Sequence, residues 1–377
     1  MSTTAVLPQR SEPRTARPAR SREPWFDNAK MLLVTLVVVG HSWTLLPHTA
    51  TTTWAYNFLY LWHVPAFVVV TGYLSRSFTF SRRSLGRLVT TVVVPYLLFE
   101  YTLTSVRAAL GGWHYERLFV NPHWPMWYLT ALVLWRLATP LLRRLPHALP
   151  VAVVVSLVGG AFTGDALDLA RTAGLLPFFV LGLLATPEQL RALRRPGARV
   201  AAVALLALGV AVATTVEHHG GSEWLLWRSS YAELHVSLLA GVVHRLVLLV
   251  AAAALAVAFL SLVPGRSGWF SRLGPATMVV YLFHGFAVTF VAASSFPSWA
   301  EHHATPALML STAGAVGVAL LLGSPPVARR LTRVVDPIGS WQRRRRPYAP
   351  PARGIHVGET ELTGTLSASR ASSGLGA

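Results

Sequence analysis

Long apolar runs without a charge recur along most of this chain, and no other feature limits its fold so sharply. A helix crossing the hydrocarbon core of a bilayer needs about 20 mostly apolar residues. Backbone in lipid must also satisfy its hydrogen bonds internally, which leaves helices or closed barrels. Segments with helical character are 29–47, 54–74, 88–106, 124–142, 149–162, 172–185, 200–216, 246–263, 276–293 and 306–322. The expected fold is therefore all-α, a polytopic transmembrane helix bundle of about ten helices. Segments 149–162 and 172–185 are short, and read either as two spans or as one re-entrant pair.

Charge supports the same class. Only 13% of the 377 residues are charged, against about a quarter in soluble domains. The formal net charge is +18, with Lys30 the only lysine. The arginines flank apolar runs instead of interleaving with aromatics on one folded face, which points to membrane topology and away from nucleic acid. Arg76, Arg82, Arg83 and Arg87, then Arg143 and Arg144, then Arg191, Arg194, Arg195 and Arg199, then Arg266 and Arg272 fall in alternate loops. The positive-inside rule puts these loops, and both termini, in the cytoplasm. Arg107, Arg117, Arg171, Arg228 and Arg245 are exceptions on the other side. Residues 1–24 hold no short apolar core, so they read as a disordered cytoplasmic tail and not as a signal peptide. Residues 25–338 form the transmembrane domain, and 339–377 a disordered basic cytoplasmic tail. The segment EWLLWRSSYAELHVSLL in the long loop 217–244 suggests an interfacial amphipathic helix. The chain has no cysteine, which excludes disulfides, thiol catalysis and cysteine metal sites.

Polar residues inside a bilayer are costly, so each asks for a role. In WFDNAKMLLVTLVVVGHSW, Lys30 and His41 are eleven residues apart, about three helical turns and about 16 Å along one face. Asp27, three before Lys30, can pair with it. Gly40 leaves room beside His41 for a ligand or a neighbouring helix. His41 reads as a general base, a proton relay, or a histidine bonded within the bundle. His63 precedes Pro65 in LWHVPAF, where a proline bends the helix and often lines a cavity. A structural kink with a satisfied histidine fits equally well. Glu100 follows Tyr96 at i+4 in VVVPYLLFE and must be neutral or paired, with a histidine partner or a sugar hydroxyl as options. The aromatic cluster of HWPMWYLTAL, Trp127 included, reads as an interfacial belt or a carbohydrate-stacking platform. Arg136 faces the bundle or snorkels. His284 in VVYLFHGF reads first as a packing residue. His218, His219, His302 and His303 read as solvated loop histidines.

Taken together, these segments resemble the acyltransferase 3 family of membrane O-acyltransferases, and most of all its fucose 4-O-acetylase-like branch. The likeness rests on FDNAK, nine residues and a GH pair, on FLYLWHVPAFVVVTGYL, on VVVPYLLFE and on PMWYLTAL, in that order. It covers about residues 22–335. The resemblance implies transfer of an acyl group, acetyl in the simplest case, from acyl-CoA to a hydroxyl of a carbohydrate-like or other cell-surface or secreted acceptor. It implies His41, Lys30 and Asp27 as catalytic residues, with His41 either the general base or the group that first accepts the acyl and passes it on. Lys30, Arg82, Arg83 and Arg87 would attract the CoA phosphates. His63, Glu100 and Trp127 would orient or bind the acceptor. No metal and no bound cofactor is expected, with acyl-CoA as donor substrate. Membrane lipid surrounds the protein, and the expected setting is a bacterial plasma membrane, in line with the heavy arginine and alanine usage. A proton-coupled transporter of a lipid-linked or polar solute is the competing reading, with intramembrane His, Glu and Lys forming its path.

Overall fold

The computed structural model describes residues 23–111, 117–162, 166–216 and 221–340, whose regular elements are all helices, with no strand among them. The chain opens with α1 (Pro24–Trp43), α2 (Ala50–Ser75) and α3 (Arg82–Leu88), the last running through a π turn at Val89–Val93 into α4 (Val94–Ala109). Pro95 sits just after that turn and lacks an N–H, so the ladder widens where a bond would be missing. Next come α5 (Trp127–Leu142), α6 (Ala148–Gly159), α7 (Leu169–Gly174), α8 (Leu176–Leu184) and α9 (Pro187–Ala192). The chain closes with α10 (Pro196–Val216), α11 (Leu238–Leu262), α12 (Thr277–Ala292), α13 (Phe296–His302), α14 (Ala304–Gly323) and α15 (Pro325–Val335).

Each of the ten expected apolar segments overlaps helix, although 172–185 is divided between α7 and α8. Among the described residues, six helices are long and apolar enough to cross a membrane: Ala50–Ser75, Arg82–Ala109, Pro196–Ala213, Leu238–Leu262, Gly274–Ala292 and Ala304–Gly323. A seventh is reached if Ala166–Gly174 and Leu176–Leu184, bent by 59° at their junction, count as one broken span. α5 and α6 are apolar but shorter. α1 has 20 residues, and its polar Asp27, Asn28, Lys30 and His41 lower its mean hydropathy.

α1 and α2 form the centre. α1 packs on α2, α12 and α14, and α2 packs on α8, α10 and α11. Apolar helices in lipid gain little from hiding apolar surface from one another, so close backbone approach carries the packing. At the α2–α8 crossing, a Cβ at Gly72 would collide with the Phe179 carbonyl, and one at Gly182 with the Val69 carbonyl. Even alanine at either position would push these helices apart. Trp25, Trp135, Phe178, Phe179, Met31 and Leu33 fill the interior around them.

Two features of the far end of the bundle differ from the sequence reading. Residues 222–237 form one 3-10 turn, Ser222–Leu226, followed by irregular backbone with positive φ at Trp227 and His235, and not an interfacial helix. The cause is Trp227, which is drawn into the core against Phe178 instead of lying at a headgroup level. Two of the arginines that break the loop-charge pattern are also structural. Arg171 pairs with Asp168 at 3.3 Å and donates to the Leu226 carbonyl at 3.0 Å. Arg245 is buried and donates to the Trp227 carbonyl at 3.1 Å. The tails 1–22 and 341–377 and the histidines at 218 and 219 lie outside the described residues.

Candidate active site

The first helix carries its polar groups at two levels. At its start, Asp27 Oδ1 holds Lys30 Nζ at 2.8 Å. Asn28 turns the other way, and its Nδ2 donates to the carbonyls of Pro264 at 2.8 Å and Arg266 at 3.1 Å. That pins the loop between α11 and α12 to the entry of α1. The FDNAK segment therefore supplies one ion pair and one loop anchor.

About three turns further on lies His41, and its partner is His284 of α12. Nδ1 of His41 and Nε2 of His284 are 2.8 Å apart, with the rings nearly parallel at 18°. The other nitrogen of His284, Nδ1, meets the carbonyl of Tyr281 one turn earlier on the same helix. This last contact fixes the protons. A carbonyl oxygen only accepts, so His284 Nδ1 carries its hydrogen. With both rings neutral, His284 Nε2 is then a lone pair and must accept from His41 Nδ1–H. His41 Nε2 is left as a lone pair, the state a general base requires. Sequence reading gave His284 a packing role. The signal it lacked was distance, since 243 residues separate the two rings in the chain.

Gly40 makes this arrangement possible. A Cβ there would meet Tyr60 Cε2 at 2.9 Å, so the glycine lets α2 lie against α1 beside His41. The space beside His41 is thus taken by a neighbouring helix, one of the two options its sequence allowed. A cavity of about 30 Å³ remains next to His41, lined by Val37, Val64, Phe67, Pro125, Trp127, Tyr128 and Tyr281. Trp127 is brought to His41 in this way, and the Arg171 guanidinium lies over its ring at 4.8 Å.

Trp124, which the sequence places in the aromatic cluster of HWPMWYLTAL, packs its ring at a steep angle against His41, with centroids 4.5 Å apart. The turn that carries it is held from two sides. Glu100 of α4 is fully enclosed, and accepts from the backbone N–H of His123 at 3.0 Å and from His123 Nδ1 at 2.6 Å. On the other side, the Tyr281 hydroxyl donates to the Pro125 carbonyl. Glu100 thus has a histidine partner, the first of its two sequence options. His63 is buried as well. Its Nδ1–H donates to the Leu59 carbonyl at 2.7 Å, and its Nε2 has no partner among the described residues. His63 makes no hydrogen bond to the His41–His284 pair.

Cavities lie toward both ends of α1. Toward the Pro24 end, where Phe26 stacks on Tyr73 of α2, one of about 330 Å³ is lined by Ser75, Ser77, Arg83, Ser84, Arg87 and Arg136, with Leu74, Phe78 and Leu88. No acidic residue lines it among the described residues. Ser75 is buried there, and its Oγ has no partner among the described residues. Arg82 stays exposed outside this lining. Toward the opposite end, a cavity of about 540 Å³ is lined by Thr44, Leu45, Arg107, Trp124 and Thr289, among others. A third space of about 370 Å³ lies between α2, α10 and α11, is mostly apolar, and shares no residue with the His41 cluster.

Comparison with known proteins gives one match. A family model described as an acyltransferase domain, that of the acyltransferase 3 family, matches residues 23–324. No curated protein and no solved structure matches the chain. The matched stretch begins just before Pro24 at the start of α1 and ends just past α14, so it contains both histidines and the two end cavities. The chain is a multi-pass membrane protein of the acyltransferase 3 family.

Proposed function

We propose that the protein is an O-acyltransferase that takes an acyl group, acetyl in the simplest case, from acyl-CoA on the cytoplasmic side. It passes that group to a hydroxyl of a carbohydrate-like acceptor. In this reading both termini and the arginine-rich loops face the cytoplasm, and the bundle crosses the plasma membrane about ten times. The observation that carries the reading is the His41–His284 pair, enclosed in the bundle with a cavity toward each end of α1.

Arg83, Arg87 and Arg136 line the cavity at the carboxyl end of α2, which has no carboxylate in its lining among the described residues and suits the phosphates of CoA. Ser75 Oγ offers them a further donor. Lys30, oriented by Asp27, adds charge at the same level, and the flexible pantetheine arm spans from there toward His41. The acceptor hydroxyl gives its proton to His41 Nε2 as its oxygen attacks the thioester carbonyl. The tetrahedral adduct then collapses, the C–S bond breaks, and the CoA thiolate takes the proton back from His41. The Nδ1–H bond to His284 steadies the imidazolium in between, as an orienting group does in a hydrolase triad. Glu100 acts through His123 by holding the turn of Trp124, and Trp127 walls the reaction space.

The test is release of CoA thiol from acetyl-CoA by purified protein in lipid, with and without a cell-envelope glycan extract. The absence of cysteine from the chain leaves the thiol readout free of protein background. Acceptor-dependent thiol release with acylated product supports the reading. Solute uptake into vesicles with no acyl donor, and no thiol release, would replace it with a transporter.

A further inference from the structure

The space of about 370 Å³ between α2, α10 and α11 is lined from α2 by Trp54, Phe58 and Leu61, which share one helix face at i, i+4 and i+7. Val64 and Phe67 present a different face of α2 to His41. α10 stands off from the bundle beside this space, and Ala202 is its one buried residue among those described. Leu205 and Gly209 of α10 and Leu248 and Leu255 of α11 complete the apolar walls. Along α11 the lining runs from His244 to Leu255, eleven residues and about 16 Å. That is about half of a hydrocarbon core about 30 Å thick, the depth of one leaflet.

Polar groups gather at one end only. The 3-10 turn Ser222–Leu226 closes that end, and Ser222 Oγ donates to Asn57 Oδ1 at 2.8 Å. The Nδ2 hydrogens of Asn57 remain as donors. Trp54 Nε1 is buried and has no partner among the described residues. Trp224, from the same turn, packs on His244 with ring centroids 4.2 Å apart. No lysine, arginine, aspartate or glutamate lines the space among the described residues. Water needs about 2–4 polar partners, which the apolar walls do not offer. Those walls gain dispersion energy only from carbon packed against them. The matching ligand is an amphiphile with one buried chain and neutral acceptors at the level of Trp54 and Asn57. The ester carbonyls of a glycerophospholipid are such acceptors. A polyprenyl phosphate has no carbonyl on its chain, and its charge would meet no cation here.

We infer that this cleft is a lipid site, taking one acyl chain of a bilayer glycerophospholipid between α2, α10 and α11, with its ester carbonyls at Trp54 and Asn57. The bound chain completes the packing of α10 on α2. The inference stands apart from the acyltransferase reading and would hold for a transporter as well.

The test uses full-length protein purified in detergent and a phosphatidylethanolamine carrying a diazirine midway along one acyl chain. After irradiation, mass spectrometry locates the labelled peptides. The expected result is saturable labelling within 54–61, 205–213 and 244–255, displaced by unlabelled phosphatidylethanolamine. Ala251→Phe, which puts a ring into the cleft, should cut this labelling by about tenfold or more. Val203→Phe, exposed on α10 outside the lining, should leave it within about twofold. Trp54→Phe keeps a ring and loses the donor, and should raise the half-saturating lipid concentration by about two- to tenfold. Labelling that does not saturate overturns the site. So does labelling that survives Ala251→Phe in a protein with the parent's melting temperature. An unchanged half-saturation in Trp54→Phe overturns the carbonyl contact, whether or not Ala251→Phe folds. Displacement by polyprenyl phosphate in preference to phosphatidylethanolamine overturns the phospholipid as occupant.

Discussion

The two ends of the bundle are built from different chemistry. The end near Lys30 gathers Arg83, Arg87 and Arg136 around small hydroxyl side chains, and among the described residues no carboxylate answers them. The opposite end presents an indole face, one guanidinium and two threonines. The first suits a ligand of concentrated negative charge and the second a ligand of mixed polarity. A protein that only moved one solute across the membrane would need sites that recognise the same molecule from both sides. The asymmetry favours two different ligands that meet at the histidines between them.

The sharpest way to break this comparison is to remove the meeting point and keep both ends. His41→Ala should lower kcat by about 10²–10⁴-fold. Acetyl-CoA binding, measured on purified protein in lipid, should stay within about twofold. Retained turnover in a correctly inserted variant would show that the two ends do not meet at His41. His284→Ala tests the tautomer argument. Without its acceptor, His41 Nδ1–H loses the partner that orients it, and kcat should fall by about ten- to a hundredfold with KM for acetyl-CoA unchanged. His284→Gln, whose amide oxygen can accept the same hydrogen, should recover part of the loss. A Gln variant as poor as Ala would mean that His284 does more than orient.

The charged end predicts a smaller, ligand-specific effect. Each of Arg83→Ala, Arg87→Ala and Arg136→Ala should raise the KM for acetyl-CoA by about tenfold, the weight of one charge-assisted hydrogen bond, with kcat little changed. Arg82→Ala, outside the cavity lining, should move it less than about twofold. A test with acetyl-pantetheine, which lacks the nucleotide, separates contact from fold. The three variants should match wild type on that substrate. If they lose activity on it equally, the arginines hold the structure and not the phosphates.

Sequence and structure agree on different things at the two ends. The helices and the Asp27–Lys30 pair were legible because each lies within one short segment, where helical spacing places neighbours. Gly40 was legible as a point of close approach, though its occupant was not. His284 and Trp124 were hidden because their meaning comes from contacts across the bundle, at 243 residues from His41 in one case. Arg136 was visible as an oddity in an apolar helix, but nothing in its own segment says that it shares a cavity with Arg83 and Arg87. Glu100 offered two partners on paper, and only packing chose His123. Apolar spans announce themselves by composition. A site assembled from one residue per helix does not.

The smallest expected effect bears most directly on whether the ends are independent. Arg136 and Trp124 line cavities toward opposite ends of α1, share no partner, and act on different ligands in the proposed scheme. Changes at such separated sites add to within about 0.3–0.5 kcal/mol, roughly twofold in a rate ratio. The kcat/KM of Arg136→Ala combined with Trp124→Ala, measured at low concentrations of both substrates, should therefore equal the product of the single effects within about twofold. A larger coupling, of either sign, would mean that donor and acceptor ends communicate through the bundle. α2 and α5 would be the first places to look, since Ser75 at the end of α2 lines the arginine cavity, and Trp124 and Arg136 sit just before and within α5. A coupling near zero would instead leave the histidine pair as the one point at which the two halves of the reaction depend on each other.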